Sequence, residues 1–437
     1  MSTGRGAADT MMLNRLSASV IARSIAAGHI TAEAVMRDCL DRITAREPVI
    51  RAWAAFDPDE ALAQARACDR SAAQGPLRGV PLGIKDVIDT AGLPTEMGSS
   101  LYRGHRPKAD AACVARLRAA GAIILGKTTT AEFAGSAPTV TRNPHALDHT
   151  PGGSSSGSGA AVADFMVPAA LGTQTGGSVL RPASFCGVIG FKPSFGRINP
   201  AGIKPAAESF DTVGILARTV EDVALLFAVL TNDALPLSDD TTAPLLPRLG
   251  FCPTHLWPTA QNETRLAIED AARRAAAAGA TVRDIAWSDR FSDLSAVRAT
   301  INAYERAHSL AHEWRVGASG MTPQTRHVCE EGNKIPAGDY VKAQQFVRQC
   351  RRDVAAFFDA VDVLLAPCVP GEAPLGLHYA GDPRFQEIWT MLHLPTITLP
   401  THRGPNGLPI GIQLVAPHDG EAMLLAVARW LLGVLTG

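Results

Sequence analysis

The chain has 437 residues, with 41 lysines and arginines against 42 aspartates and glutamates, a formal net charge of −1. That balance leaves no basic field to hold a phosphate backbone, and 46% hydrophobic residues with so little net charge exclude a disordered chain. Charged residues are 19%, below the roughly 25% usual for soluble domains, and 39 glycines with 30 prolines promise a turn-rich, well-buried protein.

In chain order, residues 17–27 read as a helix stopped by Gly28. Thr31 then caps a second helix that places Val35, Cys39, Leu40 and Ile43 on one face. Residues 1–65 are expected as a helical segment packed on a main unit spanning 66–437. Within that unit 80–84 reads as a strand, 110–120 as a helix stopped by Gly121, 122–125 as a buried strand and 129–133 as the start of another helix. Further on, 188–191 is strand-like, and 219–230 is a helix with Thr219 as its cap. The Pro- and Asp-rich stretch 235–249 reads as a surface excursion, 263–278 as an Ala-rich helix and 281–285 as a strand. The chain closes with strands at 396–399 and 410–415 around a turn at Asn406-Gly407. Helices interleaved with strands imply one α/β unit around a central sheet.

No apolar run reaches the roughly 18 residues of a membrane-spanning helix, and the best candidate, 423–435, is broken by Arg429. The first 30 residues carry Arg5, Arg15 and Arg23 without a compact apolar core, so a secretory leader is not expected. The eight cysteines are scattered, with no C-x-x-C pair, which reads as buried thiols in a reducing, cytoplasmic setting. His308 and His312 are four apart, the spacing of two ligands on one helix face, but no third ligand accompanies them.

Two local patterns fail on context. Gly121 to Thr128 satisfies G-x-x-x-x-G-K-[ST], yet 122–125 is itself the strand and leaves no loop to cradle phosphates. The strand is expected to end at Gly126, with Lys127 and Thr128 entering a turn. Gly153 to Gly157 satisfies G-x-S-x-G around Ser155, but the preceding 143–149 is loop rather than the buried strand that a nucleophile elbow needs.

Taken together, the Gly/Ser-rich run at 151–163, the run Gly172-Thr173-Gln174-Thr175-Gly176-Gly177-Ser178-Val179-Leu180-Arg181-Pro182 and the upstream Gly79 to Asp86 form one pattern. Each runs into small and apolar residues, which suits tight backbone packing with hydroxyls placed inside. The pattern resembles the amidase signature family, as do 209–214, 362–367 and the ending 407–415. The likeness covers roughly residues 12–435 and is weakest between about 235 and 360. The subgroup nearest in motif contains the malonamidases.

The resemblance implies a single α/β unit with a large mixed sheet of about eleven strands ringed by helices. It implies Ser178 as nucleophile, Ser154 as a bridging serine preceded by a cis peptide, and Lys85 as general base. The backbone N–H groups of Thr175, Gly176, Gly177 and Ser178 are implied as the oxyanion hole. No metal or organic cofactor is implied. The chemistry agrees independently: a serine hydroxyl needs a base, no histidine lies in any of these motifs, and a lysine near pKa 10.4 works as one only if burial neutralises it. Leu82, Ile84, Val87 and Ile88 supply an apolar flank, although Asp86 offers Lys85 a surface partner instead.

Many members have Asp and Arg where this chain has Gln174 and Leu180, and Arg stands one place later, as Arg181. Its planar fork suits a substrate carboxylate or a urea-like carbonyl, or else an internal salt bridge. Phe133 and Ala134 fall in the segment that lines the acyl side in the family, and Trp389 and His393 are further candidates for the cleft wall. The expected activity is hydrolysis of a small amide through a serine acyl-enzyme. Carbamates, ureas such as biuret, and aryl esters are alternative substrates, and a glutaminase-type subunit of a tRNA-dependent amidotransferase is a third reading. The expected partner is the small substrate, with no nucleic acid or membrane and with room for a homodimer.

Overall fold

The computed structural model describes residues 12–233 and 246–437. Residues 1–11, part of the stretch weighed for a leader, and most of the surface excursion expected at 235–249 lie outside it. The first two helices, Ala18–Ala26 and Ala32–Ile50, start where their caps predict: Ser17 Oγ accepts from Val20 N and Thr31 Oγ1 from Ala34 N. Val35, Cys39, Leu40 and Ile43 are all buried, as their spacing requires. Thr219 caps the helix Val220–Thr231 in the same way.

Among the described residues eleven strands form one mixed sheet. They are β1 (Trp53–Phe56), β2 (Pro81–Lys85), β3 (Ile123–Thr128), β4 (Ala169–Gln174), β5 (Ile189–Lys192), β6 (Thr212–Ala217), β7 (Arg248–Phe251), β8 (Thr281–Asp284), β9 (Val363–Pro367), β10 (Thr396–Arg403) and β11 (Pro409–Val415). Their order is β1-β3-β2-β4-β6-β5-β10-β11-β9-β7-β8. Strands β2, β3 and β4 run parallel, and every residue of each is buried, as expected of strands covered on both faces. The parallel strands put Lys85, at the end of β2, beside the end of β4, where Leu171 pairs with Ile84 and Thr173 follows. This is the carboxyl edge of parallel strands, where α/β folds place their sites.

Three local expectations are corrected. Residues 129–133 do not begin a helix: a short 3-10 turn, Glu132–Ala134, follows β3, and Phe133 and Ala134 have φ of 46° and 56°. Lys127 and Thr128 do not enter a turn but complete β3. Lys127 is fully buried there because Asp86 (3.2 Å), Ile88 O (2.8 Å) and Thr95 Oγ1 (2.6 Å) receive its ammonium. Asp86 is thus the partner of Lys127, not of Lys85. The first 65 residues are helical but also supply β1, the edge strand paired with β3. No helix among the described residues is long and apolar enough to cross a membrane, and seven of the eight cysteines are buried, none in a disulfide.

Candidate active site

Two short helices begin beside the end of β2. Ser156–Ala163 follows Ser154, and Leu180–Cys186 follows Ser178. Their small residues let backbone approach backbone. Gly152 has φ +82°, and a Cβ there would stand 2.8 Å from Pro182 Cα; one on Gly172 would meet Ser155 Oγ at 2.8 Å. The Gly153–Ser154 peptide is cis. Ser155 N donates to Ser178 O at 3.3 Å, lacing the two serine segments together. Ser155 Oγ points to Thr173 O at 3.3 Å, inside the fold.

Lys85 Nζ lies 2.8 Å from Ser154 Oγ, 2.8 Å from Thr173 Oγ1 and 3.2 Å from Thr173 O. Burial brings its pKa down to about 7; Asp211 opposes this, and Arg306 and Arg181 add to it. A neutral amine has two N–H donors and one lone pair. Thr173 supplies two acceptors, which leaves the lone pair for the Ser154 hydroxyl. Lys85 is therefore placed to take a proton from Ser154.

Ser178 is 7% exposed and lines a cavity of about 450 Å³ together with Thr175, Gly176, Gly177 and Arg181. No described residue accepts a hydrogen bond from the N–H of Gly176, Gly177 or Ser178. Buried donors are almost always paired, so this cluster is ready to hold an oxyanion. The loop is fixed from outside: Thr175 Oγ1 donates to the half-buried Asp211 (2.5 Å), which also accepts from Ala206 N and Ala207 N, and Thr390 Oγ1 donates to Gly176 O (2.7 Å).

Gln174 and Leu180 fit without the ion pair. Gln174 Oε1 accepts from Val179 N (2.9 Å) and Leu180 N (3.1 Å), capping the helix that follows Ser178, and its Nε2 donates to Thr390 (2.9 Å). Arg181 forms no salt bridge among the described residues. Its Nε and Nη2 donate to Gly153 O (3.1 and 2.5 Å), and its Nη1 to Gly381 O. It clamps backbone at the cavity edge, and burial lowers its pKa to about 10.

The other expected contacts divide. Ala134 lines the cavity. Phe133 does not: it is fully buried edge-on against Tyr102, and its carbonyl accepts from Arg306 Nη1 at 2.9 Å. Trp389 is core, and His393 stacks on Phe195 and bonds Ser209 O at 2.8 Å, so neither borders the cavity. His308 and His312 stand on separate helices, Leu294–Ser309 and Ala311–Gly317. Sequence reasoning missed Thr173, Asp211 and, above all, Arg298, Asn302 and Arg306 on the cavity wall. The last three follow at intervals of four, which places them on one helix face but does not say what that face meets.

The family profile described as Amidase matches residues 34–425. The A subunit of the glutamyl-tRNA(Gln) amidotransferase of Chloroflexus aggregans is 34% identical over 473 residues, covering 95% of both chains. A solved structure described as an amidase superposes with a TM-score of 0.88 at 30% identity, over 96% of this chain and 100% of that one. A chain of the vestigial complex that reveals the origins of an s-triazine catabolic enzyme gives 0.85 at 31%, over 95% and 98%. The chain belongs to the amidase signature family and is a hydrolase of carbon–nitrogen bonds other than peptide bonds.

Proposed function

We propose that the protein hydrolyses a small amide through an acyl-enzyme on Ser178. The observation that carries this reading is the buried Lys85 amine in contact with Ser154, beside the Ser178 cavity. Ser178 Oγ attacks the carbonyl carbon as its proton passes through Ser154 to neutral Lys85. The N–H groups of Thr175, Gly176, Gly177 and Ser178 receive the oxyanion, each worth about 3 kcal/mol of barrier lowering. Lys85 returns the proton through Ser154 to the leaving nitrogen, and the C–N bond breaks. Water then repeats the sequence on the acyl-enzyme, releasing acid and Ser178. The cavity, with Arg181 on its wall, suits a small substrate, carboxylate-bearing or urea-like.

A second reading, as the glutaminase-type component of an amidotransferase, is supported by the relatives of that name that match at 34% identity. Glutamine carries an α-ammonium group, however, and no acidic residue among the described ones lines the cavity. The test is fluorophosphonate labelling with mass spectrometry, followed by assays on malonamate, biuret, aliphatic and aryl amides, carbamates and glutamine, the last with and without candidate partner subunits. An adduct on Ser178 with turnover of a small amide alone is expected. An adduct elsewhere overturns the catalytic assignment, and turnover of glutamine only with a partner favours the second reading.

A further inference from the structure

The helix Leu294–Ser309 turns Arg298, Asn302 and Arg306 toward the cavity, one residue per turn along a single face. The two guanidinium groups are poorly satisfied by the protein. Arg306 is 4% exposed, yet its side chain makes one hydrogen bond among the described residues, to Phe133 O at 2.9 Å, and no ion pair. Most of its donors are left without a protein acceptor. Arg298 Nη1 is 3.1 Å from Glu387 Oε2, its Nε is buried with no partner, and its Nη2 lies against Gly176, 2.6 Å from where a Cβ would sit. Buried donors and unpaired buried charge are both costly, and folded proteins rarely leave either without a partner. Arg181, the third cation of the wall, is already committed to Gly153 O and Gly381 O. Among the described residues no aspartate or glutamate lines the cavity.

We propose that the substrate is an anionic amide whose carboxylate is received between Arg298 and Arg306, across Asn302, while Arg181 holds backbone. This rests on the hydrolase reading above and names the substrate class for it. A carboxylate supplies the acceptors these two arginines lack, in the planar geometry that a guanidinium matches. A ligand ammonium would meet cations, and the acid beside them, Glu387, is already paired with Arg298. Glu387 is a competitor here: it holds Arg298 from the side, and the substrate carboxylate displaces part of that hold.

The experiment compares malonamate and succinamate with their neutral counterparts propanamide and butanamide, in the wild type and in Arg298→Gln, Arg298→Lys, Arg306→Gln and Glu387→Gln. The wild type is expected to prefer the anionic pair. Measured above the Lys85 limb, each Arg→Gln change is expected to lower kcat/KM for that pair, relative to the neutral pair, about tenfold or more through KM, as for a charge-assisted hydrogen bond. Arg298→Lys recovers part of the loss, and Glu387→Gln lowers KM for the anionic amides. Malonate should slow fluorophosphonate labelling of Ser178 in the wild type and not in the Arg→Gln variants, a readout of occupancy that needs no turnover. Equal losses on charged and neutral amides, or labelling that malonate does not slow, overturn the anion site alone. Failure of Ser178 to label in the wild type overturns the hydrolase reading beneath it.

Discussion

Lys85 changes charge within an ordinary assay range, because burial brings its pKa down to about 7. Only the neutral form accepts a proton, so kcat/KM should climb with pH and level off above about 7. The Asp211 carboxylate favours the protonated form, and removing its charge must move the limb to lower pH. Asp211→Asn is therefore expected to shift the acid limb downward, together with some loss of kcat from the weakened Thr175 anchor. A pH profile of kcat/KM checks both, and a limb that stays in place would show that the Asp211 charge does not reach Lys85. At this scale the sequence was informative about proximity where a residue sits in a motif, as with Lys85 and Ser154, which stand 2.8 Å apart. It was uninformative where only the residue type was known. Phe133, Trp389 and His393 look like cleft residues by kind, but which way each points depends on backbone twists such as the positive φ at Phe133 and His393.

Among the elements, the helix Ser156–Ala163 has no apolar stripe to read, since it consists of Ser, Gly, Ala and Val on all sides. Its composition reflects closeness rather than amphipathicity. A Cβ on Gly157 would stand 2.1 Å from Ala52 O and 2.3 Å from Thr129 N, both backbone atoms that cannot step aside. Gly157→Ala should therefore cost stability on the scale of overpacking, about 1–3 kcal/mol, and displace Ser154 enough to depress activity. Gly433, in the helix Glu421–Thr436, has nothing within 4 Å of such a Cβ, and Gly433→Ala should instead stabilise by about 0.4–1 kcal/mol. Denaturant titration of the two variants checks the contrast, and similar changes in both would refute it. The helix Leu294–Ser309 was illegible for the opposite reason. A polar stripe at helical spacing reads as a solvent face, and only the folded chain reveals that this one faces a cavity. Strand β3 ended early in the sequence reading because a lysine inside an apolar strand looks like its end until Asp86 is brought against it.

At the level of the whole molecule, the fold class followed from the alternation of helix and strand, and the approximate number of strands from the resemblance to the amidase signature family alone. The order of the sheet did not, because it depends on pairings between distant segments, such as β5 with β10 or β11 with β9. The place of the first residues was hidden for the same reason. Ser19 N donates to Asp222 at 2.8 Å, Arg218 Nη2 to Leu16 O at 2.6 Å, and Thr129 N to Ala52 O at 2.8 Å, so the N-terminal helices and β1 are tied to the body of the sheet from several sides.

The chain as a whole is close to neutral, at −1, while the wall of its cavity carries Arg181, Arg298 and Arg306 and, among the described residues, no acid. That contrast bears on how a catalytic cycle ends. Cleaving an amide converts an uncharged group into a carboxylate, so the product leaves with one more negative charge than the substrate brought in. Among three guanidinium groups the product is held more tightly than the substrate, and its departure becomes the slow step. Added salt screens both, so kcat should rise with ionic strength while kcat/KM for an anionic amide falls, and the dicarboxylate product should inhibit below the substrate's KM. Steady-state rates across a salt series, with added product, test this; parallel changes in kcat and kcat/KM would place the slow step in chemistry instead.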